Sequence, residues 1–131
     1  MRTLLAQLQA HTDRLVAPVD PEVEIEAALR SAVRLEFYTI PLYLTALWSL
    51  EEQSGPAYES IRVIAMEEMT HLGRIFNLLT SLGKADVLPP DALPVFPGNL
   101  PDGVLNGATV ALRGLDEAQL ALFLAIEFPN H

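Results

Sequence analysis

Residues 65–72 read Ala65-Met66-Glu67-Glu68-Met69-Thr70-His71-Leu72 and lie inside a segment whose apolar residues recur every three or four positions. Two carboxylates and an imidazole are costly to bury in such a segment unless they are paired or bind a metal. Glu36 interrupts the preceding apolar segment in the same way. We therefore predict a helical hairpin that carries half of a metal site.

The first helix of this hairpin is predicted to begin at Asp20-Pro21-Glu22 and to run to about Gln53. Asp20 can cap the free N–H groups, and proline fits the first helical position. Pro41 removes a backbone donor and favours a kink, and the pattern favours one kinked helix over two shorter ones. Its apolar stripe contains Leu29, Val33, Glu36, Ile40, Tyr43 and Leu47.

The second helix is predicted to follow the turn Ser54-Gly55-Pro56 and to close at Gly83. Glu68 and His71 are three residues apart and share its buried face. Glu67 lies one position around the helix, with Arg34 or Arg74 as its expected charge partner. Glu67, and Tyr43 on the stripe of the first helix, are predicted to lie beside the ligands rather than among them.

The register of the hairpin predicts that these side chains meet. Glu36 lies about 18 residues before the turn, whereas Glu68 and His71 lie about 14 and 17 residues after it. At ~1.5 Å of rise per residue, the three lie within roughly 7 Å along the bundle axis. They can therefore converge on one ion.

Carboxylate oxygen and imidazole nitrogen without sulfur are ligands that suit iron, manganese or zinc, and two metals can share a bridging carboxylate. Helical dimetal sites take one glutamate from each of two helices and a Glu-x-x-His from each of two others. Glu36 with Glu68-Met69-Thr70-His71 makes half of that set. In the alternative interpretation, the three residues hydrogen-bond one another in a buried polar patch without metal.

The rest of the chain predicts a single domain with two accessory segments. Residues 1–17 form an amphipathic helical arm, and the Pro/Gly-rich residues 84–114 form a wrapping loop. Val95-Phe96 and Val104-Leu105 are predicted to pin this loop to the bundle, and residues 109–112 suit a short strand. A third, shorter helix is predicted to begin at Asp116 and carries Glu127 in its apolar stripe. The predicted fold class is an all-α bundle.

Composition limits the partners. The 131 residues carry 17 acidic and 8 basic side chains and a net charge of −9, which disfavours nucleic acid as a partner. The longest uncharged run, 37–50, is too short to span a membrane, and the N-terminus lacks the pattern of a signal peptide. With no cysteine, the chain suits a cytoplasmic location. Its 50% apolar content suggests burial against another copy.

Several segments resemble a ferritin-like domain family related to iminophenyl-pyruvate dimer synthase. They are Leu35–Leu44, Met66–Leu72 with Asn77-Leu78-Leu79 and Leu82-Gly83, Phe96–Pro101, and Ile126–Pro129. The resemblance implies a ferritin-like bundle with a di-iron site. Glu36 and His71 would be terminal ligands, Glu68 a bridging ligand and Glu127 a further candidate.

The family's domain continues through a fourth helix with a second Glu-x-x-His, which this sequence does not include. The other half of the site is therefore expected from a second copy in a homodimer or from a missing C-terminal part, or else the site is degenerate. Two functions remain open: a di-iron protein with oxygen or redox chemistry or a role in metal handling, and a non-catalytic helical assembly module. The sequence indicates no organic substrate, and the synthase activity does not follow from half of the ligands.

Overall fold

The computed structural model describes residues 20–84, 88 and 92–128. Within them lie helices α1 (Pro21–Trp48), α2 (Pro56–Ser81) and α3 (Glu117–Glu127), strands β1 (Gly98–Asn99) and β2 (Thr109–Val110), and a 3-10 helix (Pro101–Asn106). The predicted all-α class is confirmed. The predicted arm at 1–17 lies outside the described residues.

Helix α1 begins as predicted, because the Asp20 side chain accepts a hydrogen bond from the Glu22 amide at 3.0 Å. It continues through Pro41 as one helix, and the kink there stays a prediction. The predicted end near Gln53 is wrong, since α1 stops at Trp48. The Ser49 hydroxyl donates to the carbonyl of Ala46 at 2.7 Å and accepts from the amide of Leu115 at 2.8 Å, which ties the end of α1 to a distant segment.

The two long helices run antiparallel. At one end of the pair, Lys84 follows α2, and its Nζ lies 3.8 Å from Glu22 and 3.4 Å from Glu26 of the first turns of α1. Both helices contribute apolar side chains to the buried interior, namely Val33, Leu42, Ala46, Leu47, Ile61, Ala65 and Leu79. The predicted hairpin is confirmed. No helix in the described ranges is long and apolar enough to cross a membrane.

Residues 92–110 contain short pieces of regular structure that pack against the hairpin. Strand β1 pairs antiparallel with β2, so that Gly98 lies opposite Val110. The strand predicted at 109–112 is therefore present over Thr109–Val110 only, with a partner that the sequence did not reveal. Phe96 packs edge-on against Tyr38 with ring centroids 5.5 Å apart. Val95, in contrast, is 74% exposed, so the prediction that it pins the loop is wrong.

Helix α3 packs against α1. Asp116 caps its N-terminus, as predicted, by accepting a hydrogen bond from the Gln119 amide at 2.7 Å. Phe123 is buried against Tyr43 of α1, with ring centroids 4.4 Å apart. This contact sets the position of the last turn of α3, which carries Glu127.

Candidate metal centre

Glu36 of α1 and Glu68 and His71 of α2 lie together between the two long helices. One ligand atom from each of the three lies within 4.8 Å of the others. The Nδ1 atom of His71 is 3.9 Å from Oε1 of Glu36 and 3.7 Å from Oε1 of Glu68. These separations are too long for hydrogen bonds. The register of the hairpin thus brings the three residues to one place.

The two carboxylates are shielded from solvent and the imidazole is not. The side chains of Glu36 and Glu68 are 12% and 14% exposed, whereas that of His71 is 47% exposed. The cluster therefore has an inner acidic side and an open side at His71. A cation or a small molecule reaching the cluster would approach from the imidazole.

The surroundings favour the neutral form of Glu36. Its pKa is raised to about 9, mainly by burial and then by the hydrogen bond and negative charge of Glu68 and the charge of Glu127. In the described part of the chain, its Oε2 atom is buried and has no hydrogen-bond partner. Removing the proton from Glu36 thus leaves an uncompensated charge, which a bound cation would neutralise.

Tyr43 and Glu127 lie next to this cluster. Tyr43 is fully buried, and its hydroxyl donates to Oε1 of Glu127 at 2.5 Å. The pKa of Tyr43 is raised by burial, by this hydrogen bond and by the charges of Glu127, Glu68 and Glu36. Glu127 is close enough to influence Glu36 electrostatically but is not one of the three converging residues. A carboxylate from α3 thus stands at the edge of the cluster.

Glu67 is exposed and lies outside the cluster. Arg34 is one of its expected charge partners. The Nη2 atom of Arg34 instead lies 3.3 Å from Oδ1 of Asp102 in the wrapping loop. The hydroxyl of Ser31 also donates to Asp102, so this aspartate fastens the loop to α1. Sequence reasoning missed this link; the only local signal was the turn-forming pair Asp102-Gly103.

The residues present fit a metal ion in three respects. Their donor atoms are carboxylate oxygen and imidazole nitrogen, which suit iron, manganese and zinc. Three of these atoms lie within 4.8 Å of one another. The orphaned Oε2 of Glu36 also leaves a buried acceptor that a cation would satisfy.

An antiparallel hairpin with a carboxylate and histidine cluster between its long helices, and a third helix that adds a glutamate beside it, defines a helical bundle with a polar centre. The family model described as Ferritin-like matches residues 29–131, and the chain belongs to this family. The predicted ferritin-like fold is thereby confirmed. The match does not identify a relation to iminophenyl-pyruvate dimer synthase within that family. Comparisons with curated proteins and with solved structures gave no match.

Proposed function

We propose that this protein is a ferritin-like metal-binding protein in which Glu36, Glu68 and His71 hold iron. The observation that carries the proposal is the convergence of these three side chains within 4.8 Å between two buried helix faces. Manganese and zinc accept the same donor atoms and are the alternatives. Without cysteine, the chain is suited to a reducing compartment, and a cytoplasmic location belongs to the proposal.

Binding would exchange a proton for a metal ion. Burial and the neighbouring Glu68 favour the protonated form of Glu36, with its pKa raised to about 9. A carboxylate has to be deprotonated to bind a metal, so Glu36 would release this proton when it takes up a cation beside Glu68. His71 would supply an imidazole nitrogen on the open side.

We further propose a two-iron site that a second copy of the chain completes in a homodimer. Dimetal bundles use two lone glutamates and two Glu-x-x-His pairs, and this chain supplies Glu36 and the pair Glu68 and His71. Glu127 is the candidate for an additional ligand, because its carboxylate stands at the edge of the cluster. The Tyr43 hydroxyl would hold this carboxylate in place and keep a proton at its oxygen.

Bound iron would supply redox or oxygen chemistry at this place. The protein's own residues would bind the ion, shield its inner side and leave access past His71. The resemblance of Leu35–Leu44 and Met66–Leu72 supports a relation to the group of iminophenyl-pyruvate dimer synthase. The proposal does not extend to that enzyme's activity.

Titration of the metal-free protein with Fe(II) under anaerobic conditions tests the proposal. We expect Glu68→Ala and His71→Ala each to weaken iron binding by about tenfold or more, because each removes a ligand. Glu59→Ala is the matched control, since it removes an exposed carboxylate of the same helix that lies outside the cluster, and this variant should bind iron like the unmodified protein. Equal affinity in all four proteins would contradict the ligand assignment.

One observation favours the second candidate, a helical assembly module with a structural polar cluster. A protonated Glu36 that shares a hydrogen bond with Glu68 satisfies part of the cluster without metal. In that case, replacing Glu36, Glu68 and His71 together by leucine should leave the metal-free fold intact or stabilise it. A stability advantage of the unmodified protein that appears only when metal is added would count against this candidate.

A further inference from the structure

The outer face of α2 carries an exposed stripe with a symmetric order of side chains. Its ends are apolar, with Val63 44% and Leu78 53% exposed. Glu67 and Arg74 each lie four residues closer to the middle of the stripe than its ends, and both are exposed. The middle is occupied by Thr70 and by His71 of the metal cluster. We call this set the outer stripe: Val63, Glu67, Thr70, His71, Arg74 and Leu78.

The two charges of the outer stripe have no ion-pair partner among the residues that the structure describes. Every other basic side chain of the described residues forms an ion pair; these are Arg30, Arg34, Arg62, Lys84 and Arg113. Arg74 forms none with any described carboxylate, and Glu67 forms none with any described cation. Seven residues separate the two, which is two helical turns and too far for a pair on one helix.

A second copy of α2, packed antiparallel, satisfies both charges. If a twofold axis passes between Thr70 and His71, residue 67 of one copy lies opposite residue 74 of the other, because both are equally far from the axis. The same symmetry sets Val63 opposite Leu78. Two Glu–Arg pairs and two apolar contacts then form along about 23 Å of helix.

We propose that the outer stripe is a homodimer interface, in which Glu67 of each protomer pairs with the partner's Arg74. Exposed ion pairs add little affinity but fix register and orientation, because a shift of one turn would separate the paired charges and a shift of two turns would bring like charges together. The apolar ends supply the attraction. Such a patch is self-complementary, as a twofold interface requires.

The interface would also set how the Glu36, Glu68 and His71 clusters of the two copies lie relative to each other. The axis passes beside His71, whose 47% exposed side chain lies on the open side of the cluster. The two clusters would therefore approach each other across the axis. This consequence rests on the proposed function, whereas the interface itself does not, since it needs no metal.

Charge reversal tests the interface. The mass of the full chain is measured by sedimentation at several concentrations, with a chelator and, separately, with Fe(II) under anaerobic conditions. We expect the unmodified chain to form dimers, and Glu67→Arg or Arg74→Glu alone to weaken dimerisation by about tenfold or more, since each places like charges together. The double variant, Glu67→Arg with Arg74→Glu, should return to within about threefold of the unmodified chain, because the pairs are restored in reverse.

The matched controls are Glu59→Arg and Arg62→Glu. They change the net charge equally on the same helix but break an ion pair of 2.8 Å within the chain. These controls should dimerise normally. A monomeric unmodified chain in both conditions, single variants that behave like the controls, or a folded double variant that stays monomeric would each overturn the interface. Dimers that bind no iron would contradict only the proposed function. Monomers that bind iron would contradict the interface and the shared two-iron site, and would leave the assignment of Glu36, Glu68 and His71 as ligands standing.

Discussion

Glu36 is the residue on which the account of the cluster depends most. Its side chain is only 12% exposed, and its pKa is raised to about 9. Burial of the charged form is the main cause, with the adjacent Glu68 next. A side chain in this state is either a permanently protonated part of the core or a ligand that exchanges its proton for a metal ion.

The first prediction concerns the pH dependence of the metal-free protein. A carboxyl whose pKa rises from 4.5 in the unfolded chain to about 9 on folding stabilises the protein below pH 4.5 and loses that contribution as the pH rises toward 9. We expect the free energy of unfolding to fall across this range by on the order of 2 to 4 kcal/mol. Denaturant unfolding at several pH values measures it.

The matched variants for this experiment are Glu36→Gln and Glu67→Gln. Glu36→Gln is neutral at every pH and should remove most of the slope. Glu67→Gln changes an exposed carboxylate and should keep it. An unchanged slope in Glu36→Gln would show that Glu36 is not the group that titrates.

At the scale of single elements, α3 matters because it carries Glu127 to the cluster. It has 11 residues and buries only Gln119 and Phe123, so its capping contributes a large share of its stability. The cap is Asp116, whose side chain accepts from the Gln119 amide at 2.7 Å.

We therefore predict that Asp116→Ala destabilises the protein by about 1 kcal/mol, the usual cost of a lost N-terminal cap. Asp116→Asn keeps an acceptor oxygen and should lose much less, although it also weakens the exposed pair with Arg113. Thermal unfolding followed by circular dichroism compares the two. Equal losses in both variants would show that the charge, and not the cap, matters.

The sequence predicted the elements whose signals are local. The caps at Asp20 and Asp116 and the 3.6-residue periodicity define all three helices, and the short turn fixes the register that joins Glu36 to Glu68 and His71. The sequence did not predict the features that depend on contacts between residues far apart in the chain. The residues around Ser49 do not indicate its hydrogen bond with Leu115 at the end of α1. Those around Asp102 do not indicate its hydrogen bonds with Ser31 and Arg34.

At the scale of the whole molecule, the described chain leaves much apolar surface uncovered. Leu120 and Leu124 of α3 and Leu78 of α2 are each about half exposed, at 47%, 53% and 53%. The cluster of Glu36, Glu68 and His71 is also open to solvent at the His71 side chain. Both features agree with a protein that buries further surface against a second copy, as the apolar composition predicted.

We propose above all that the chain binds iron through Glu36, Glu68 and His71. Elemental analysis of protein reconstituted with iron and kept anaerobic, combined with its mass from light scattering, tests this most directly. We predict about one iron per chain in a particle of twice the chain mass, since two half-sites make one dimetal site. Protein that carries no iron after reconstitution would contradict the claim.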